Sequence, residues 1–329
     1  MKFRMPGRMH ARNGGMRRVG FEIEYAGLEL EQAARIIQRL FNGTLQRKNP
    51  FSWAVEQSDF GDFHVEVDTA ILKDQAYEEY LERMGLDLEE KNMRQSLAEF
   101  LLKAASTIVP HEVISPPIPL DSMDRMEELK EELRRQKARG TRKSLVYAFG
   151  LHLNPEVPDT EVHTVLGYLR AFLLLQEWIR EKSMIDFSRR LTPFINDFPD
   201  NYLRLVLDPA YEPGMDRFIT DYLIFNPTRN RPLDLLPLLA HIDEDMVMAG
   251  AKQQHAIKPR LAFHYRLPNC LIDDPDWTLA REWNLWWEVE NLSEDSEKMQ
   301  RMGEEFRELK DTLNPFSNKW ADRVSRWME

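Results

Sequence analysis

The stretch Gly20-Phe21-Glu22-Ile23-Glu24-Tyr25 alternates strictly, with Phe21, Ile23 and Tyr25 on one parity and Glu22 and Glu24 on the other. Strand side chains point to opposite faces with period two. The segment therefore buries an aromatic and aliphatic face and sets two carboxylates side by side on the other. Taken alone, that describes an ordinary half-buried strand with a solvated acidic face. Its weight comes from recurrence elsewhere in the chain.

Residues 63–72 repeat the pattern, with His64, Glu66 and Asp68 opposite Phe63, Val65 and Val67. Residues 111–117 form a short β-branched run carrying Glu112 and closed by Pro116 and Pro117, which reads as a strand end at a cavity rim or sheet edge. Residues 147–155 set His152 and Asn154 against Leu151 and Leu153, and residues 259–268 set Arg260, His264 and Arg266 against Leu261, Phe263, Tyr265 and Leu267. If these strands share a sheet, one surface gathers carboxylates and imidazoles beside guanidiniums. Like charges at such distances repel and raise one another's pKa, so the face needs a counter-charge. Bound Mg²⁺ or Mn²⁺ supplies one, because carboxylate oxygens suit these ions, which commonly add phosphate oxygens as ligands. Arginines nearby suit phosphates or a substrate carboxylate, and the set points to metal-dependent chemistry on a nucleotide phosphate.

Between the strands, apolar residues at helical spacing predict helices over 29–41, 88–109 and 164–182. A charged helix is expected from a cap at Asp121 or Ser122 to Arg139, stopped by Gly140. Shorter helical segments are expected near 193–198, 216–225 and 233–239, and a tryptophan-rich helical tail over 277–329. The expected fold class is α+β: a curved, mostly antiparallel sheet with a polar concave catalytic face and helices on the convex side. The expected organisation is a basic arm over 1–18, a catalytic domain over 19–276 containing a helical insert at about 161–256, and a C-terminal helical segment over 277–329 packed on the same domain.

Composition narrows the function. A net charge of −11 argues against a nucleic-acid-coating surface. Six basic residues and no acid among the first eighteen read as a mobile arm, with contact to phosphates or an acidic partner as the alternative. Cys270 is the single cysteine, which excludes an intrachain disulfide and a multi-cysteine metal site and suggests a reducing cytoplasm. The longest apolar run, around 169–175, is too short to span a bilayer. A complete phosphate-binding loop, a zinc-protease helix, a nucleophile elbow and a dinucleotide-binding glycine turn are all missing.

Gly20-Phe21-Glu22-Ile23-Glu24, Asp68-Thr69-Ala70-Ile71, His111-Glu112-Val113-Ile114-Ser115-Pro116 and Gly150-Leu151-His152-Leu153-Asn154 resemble the ordered motifs of the amidoligases. That family belongs to the carboxylate–amine ligase superfamily, with glutamine synthetase and glutamate–cysteine ligase. The resemblance runs from about residue 20 to 270. It implies a glutamine-synthetase-like fold binding ATP and Mg²⁺ (or Mn²⁺), and ATP-driven joining of a small-molecule or peptide carboxylate to an amine through an acyl phosphate. It implies Glu22, Glu24, Glu112 and His152 as metal ligands. Asp68 would hold or deprotonate the amine, Glu24 and Arg266 would complete the catalytic set, and Arg260, Arg266, Asn154 and His264 would contact the nucleotide. Two positions depart from the family pattern: His264 stands where an acid is expected, and Asn154 where a second His or Gln often accompanies His152. Two alternatives remain beside the ligase, namely another metal-dependent phosphoryl-transfer enzyme and a non-catalytic binding, virion or scaffold protein that kept the fold.

Overall fold

The computed structural model describes residues 1–67, 110–140, 149–183, 196–310 and 316–328. The expected helix over 88–109 and the end of the strand expected over 63–72 lie outside them. Strands β1 (Arg18–Tyr25), β2 (Thr44–Asn49), β3 (Ser52–Ser58), β4 (Gly61–Val67), β5 (His111–Ile114), β6 (Ile118–Pro119), β7 (Leu151–Pro155), β8 (Leu233–Asp234) and β9 (His264–Tyr265) form one open sheet. Its order is β2-β3-β4-β5-β1-β7-β9-β8, with β6 pairing the start of β1, and every pairing is antiparallel. The fold is α+β, as its alternating strands and amphipathic helices predict.

Ten α-helices appear among the described residues: α1 (Leu30–Phe41), α2 (Asp124–Arg135), α3 (Val162–Lys182), α4 (Asp200–Val206), α5 (Met215–Phe225), α6 (Leu236–Ile242), α7 (Glu244–Gly250), α8 (Leu279–Ser293), α9 (Ser296–Lys310) and α10 (Phe316–Trp327). Helix α1 starts in a capping box between Glu29 and Gln32 and stops at Asn42 and Gly43, both at positive φ. A Cβ at Gly43 would lie 2.7 Å from the Glu56 carbonyl oxygen, so only glycine fits this return into β2. The apolar parity of the strands faces helices: Phe63 stacks on Phe41 of α1, while Phe263 and Tyr265 meet Tyr168 of α3 and Trp286 of α8. The tryptophan-rich tail is helical, as expected, and Trp283, Trp286 and Trp320 are fully buried.

Several local expectations are corrected. Strand β5 is interior, between β4 and β1, so its prolines end it without marking an edge. Helix α2 begins at Asp124 after a 3₁₀ turn, with Met123 at the cap and no side-chain cap bond, and ends before Lys137 at positive φ. Residues 196–199 are irregular, and the remainder of the helix expected there lies outside the described residues. Leu233–Asp234 is strand and the helix begins only at Leu236, because Leu233 pairs with Tyr265 and the Asp234 carboxylate accepts from the Leu236 N–H. The expected helical insert thus contributes a strand to the sheet.

The basic arm packs onto the body. Phe3 is buried, and Arg4, Arg8 and Arg12 pair with Glu288, Asp159 and Glu161. Arg17 is fully buried and forks onto Glu290 of α8 at 2.8 and 2.9 Å, while the Tyr168 hydroxyl and the Trp286 indole N–H also donate to Glu290. Burial alone would lower the Arg17 pKa, but Glu290 outweighs it and the guanidinium stays charged. The sequence pattern missed this because the arm's acidic partners lie more than a hundred residues away. Arg17→Met strands a buried carboxylate and is expected to destabilise the fold by ~3–5 kcal/mol in urea unfolding. Arg12→Ala, at a pair whose side chains are 75% and 51% exposed, should change stability by less than about 0.5 kcal/mol.

Candidate functional site

Register decides which polar side chains meet. Glu22 lies opposite His152 on β7 and Ile114 on β5, and Glu24 lies opposite Glu112. Glu112 in turn lies opposite Glu66 on β4, and His264 opposite Asp234 on β8. Directly opposed residues share a face, with Cβ atoms ~4.5–5.5 Å apart. The polar parities of six adjacent strands therefore form one surface, running from Glu66 through Glu112, Glu24, Glu22 and His152 to His264 and Asp234.

His152 is the centre of this surface. Its Nδ1 lies 2.8 Å from Glu22 Oε2 and 4.0 Å from Glu112 Oε1, and its Nε2 lies 3.6 Å from Glu24 Oε1. Two groups of candidate metal ligands result, Glu24/Glu112/His152 and Glu22/His152/His264, each with its donor atoms within 4.8 Å of one another. Asn154, opposite Gly20, donates its amide to Glu22 Oε1 at 2.8 Å, and its Oδ1 lies 2.7 Å from His264 Nδ1. Glu24 Oε2 accepts the Gly150 N–H at 2.7 Å. The site is thus oriented by its own strands.

Arg260 reaches in from the segment before β9. Its Nη1 lies 3.2 Å from Glu22 Oε1 and its Nη2 lies 2.9 Å from His264 Nδ1. Arg266 donates to the Arg229 carbonyl at 2.8 Å, and its charge acts on Asp234, Glu24 and Glu22. The strand expected over 259–268 is regular only at His264–Tyr265, because its neighbours instead bond to Pro237, Pro155 and Pro232 carbonyls. The alternation nevertheless survives: Phe263 and Tyr265 face the helices, while Arg260 and His264 face Glu22. Glu22, Glu24, Glu112, His152, Asn154, Arg260 and His264 therefore converge, with Arg266 alongside. Asp68 lies outside the described residues.

The electrostatics suit a cation. Burial alone would raise the Glu22 carboxyl, but His264, His152 and Arg260 outweigh it and hold it well below the ordinary carboxylate range. Burial also pushes His264 well below the ordinary imidazole value, against the pull of Glu22. Carboxylate and neutral imidazole are the protonation states that offer lone pairs to a metal. The group Glu24/Glu112/His152, with two carboxylates and one imidazole, fits Mg²⁺ or Mn²⁺, whereas Glu22/His152/His264, with one carboxylate and two imidazoles, fits Mn²⁺ better than Mg²⁺.

Sequence reasoning missed Asp234 and its partner Arg229. Asp234 is fully buried within the run Leu233–Leu236, and an acid in an apolar run after Pro232 was the available signal. Treating that run as helix hid the pairing with His264.

The depressed imidazoles make stability pH-dependent. His264 and His111, both lowered by burial, stay neutral in the fold where the unfolded chain takes up protons. Their contribution is complete above the ordinary imidazole value of about 6.5 and is lost as pH falls through it. Glu22, also depressed, acts with the same sign in a more acidic region: its contribution is complete above the ordinary carboxyl value of about 4.3 and is lost as pH falls from there through its lowered folded value. Urea unfolding between about pH 7.5 and about pH 5.5 should show falling stability, with a shallower slope in His264→Asn.

No curated protein and no solved structure matches the chain. A family profile described as "Putative amidoligase enzyme" matches residues 15–288, a span that takes in every converging residue named above. By that match over most of its length, the chain belongs to the amidoligase family.

Proposed function

We propose that the protein is an ATP-dependent carboxylate–amine ligase. The observation that supports this best is the sharing of His152 between two metal-type groups, with Arg260 against one of them. Glu24, Glu112 and His152 would hold one divalent ion, and Glu22 and His264 would offer ligands for a second, since the single lone pair of a neutral His152 serves one ion. The position where the family pattern expects an acid then carries an imidazole ligand. A divalent ion held there would supply positive charge to neutralise phosphate oxygens of ATP.

The chain's own residues account for the rest. Arg260 and Arg266 hold and orient the transferring phosphoryl group, and Asn154 fixes the Glu22 carboxylate. The γ-phosphoryl group passes to a substrate carboxylate oxygen and ADP leaves. The amine nitrogen then attacks the acyl carbon, phosphate leaves, and the amine's proton goes to a carboxylate, for which we propose Asp68. The products are an amide, ADP and phosphate. Among the described residues no helix is long and apolar enough to cross a membrane.

Hydroxylamine tests the activated carboxylate directly. With ATP, Mg²⁺ and a competent acid, the protein should yield a hydroxamate and ADP in equal amounts, and Glu22→Gln or Glu24→Gln should cut the rate by roughly two orders of magnitude or more. MgATP at a hundred times its Kd should add ~2.7 kcal/mol to unfolding stability. Absence of MgATP binding at millimolar concentration in calorimetry would remove the reading. ADP formation without hydroxamate would transfer it to another phosphoryl acceptor.

A further inference from the structure

The charge on the polar face changes sign along the sheet. Glu66, Glu112 and Glu24 lie over β4, β5 and β1, whereas Arg260, Arg266 and Arg229 gather at the β9–β8 end. Two of these guanidiniums follow from the strand pattern. Arg229 comes from the loop before β8 and has no role in the reading above.

Its geometry is defined by Asp234. Arg229 Nε donates to Asp234 Oδ2 at 3.0 Å, and Nη1 donates to the Ala256 carbonyl at 2.6 Å. Asp234 Oδ1 is occupied by the Leu236 N–H, so the fully buried carboxylate has one oxygen for the backbone and one for Arg229. Arg229 Nη2 makes no hydrogen bond among the described residues, and the side chain stays 23% exposed. Its charge acts on His264 and on Arg266. Arg231, two residues on, differs: it is buried and donates to Asn226 and to the carbonyls of Asn196, Asp197 and Phe225, which is an architectural role. Arg260 adds a buried Nε without a partner among the described residues.

A buried ion pair stabilises a fold little more than well-packed apolar residues of the same volume. What the Asp234–Arg229 pair does supply is a guanidinium with fixed orientation, one fork nitrogen of which is unpaired among the described residues, at the β8–β9 end of the polar face. We propose that Arg229 is an anion-binding residue of the β8–β9 end, receiving the polyphosphate part of a substrate, and that Asp234 is the positioning residue that holds it there. The assignment rests on the ligase reading only for the anion's identity as a nucleoside triphosphate. The anion chemistry is testable without it.

Tripolyphosphate is the probe, titrated by calorimetry into the full chain at low salt, once with EDTA and once with saturating Mn²⁺. Mn²⁺ binding is followed separately by electron paramagnetic resonance. Arg229→Gln should weaken tripolyphosphate binding at least tenfold while leaving Mn²⁺ binding unchanged. Asp234→Asn, which keeps the shape, should weaken it several-fold in the native background and add nothing in the Arg229→Gln background. A purely structural Asp234 would lower the melting temperature without that dependence on Arg229. The proposal is overturned if tripolyphosphate binds in neither condition, if Arg229→Gln binds it as well as the native chain, or if Mn²⁺ affinity falls by the same factor. Failure of the ligase reading looks different: Mn²⁺ or MgATP does not bind, while the tripolyphosphate difference between native protein and Arg229→Gln remains.

Discussion

Glu22, Glu24 and Glu112 occupy neighbouring positions on two adjacent strands, and their mutual repulsion is the constraint around which the face is built. Buried carboxylates this close call for positive charge or N–H donors beside them. Each receives such a partner: His152 reaches toward all three, Arg260 and the Asn154 amide serve Glu22, and the Gly150 N–H serves Glu24. Those partners come from β7, from its leading residue and from the segment before β9. The sheet order that places β1 between β5 and β7 is therefore also what makes the acidic cluster tolerable.

The scaffold behind the face keeps it in place. Fixed register matters, because a one-residue slip of β1 would turn Glu22 and Glu24 into the apolar layer and Phe21 and Ile23 out of it. The stack of Phe263, Tyr265, Tyr168 and Trp286 ties β9 to α3 and α8, and Arg17–Glu290 ties the entry of β1 to the same α8. Both strands that carry charge to the centre are thus anchored to one helix on the opposite side of the sheet. The N-terminal arm, with its salt bridges to Glu288, Asp159 and Glu161, extends that anchorage.

Much of this was legible in the alternation of five short segments, because parity is a local property: whether Glu22 and His152 point to the same face follows once their strands pair. Illegible features were those set by distant partners. Arg17 reads as part of a loose basic arm until Glu290 is known to be its neighbour, and the prolines after His111–Ile114 suit a cavity rim or a sheet edge alike until β4 and β1 are seen on either side. Asp234 is the sharpest case. Leu233 to Leu239 carries helical spacing, yet a strand partner at Tyr265 and a carboxylate bond to the Leu236 N–H override local propensity over two residues.

His264 shows how an imidazole can occupy a place where a further carboxylate would crowd the site. An acid there would add another carboxylate within reach of Glu22, with further repulsion to offset. Imidazole still offers a lone pair to a metal but brings no negative charge, and burial keeps it neutral. The local balance then shifts toward the positive, and the carboxylate on the opposed strand, Asp234, lies where it offsets that shift while engaging Arg229. The acid at this end of the site thus stands on β8, opposite position 264, one strand further from Glu22. A divalent ion beside Glu22 would then meet one fewer anionic ligand and a better-fixed guanidinium, a combination that favours binding through the phosphate oxygens a substrate brings over binding to the protein alone.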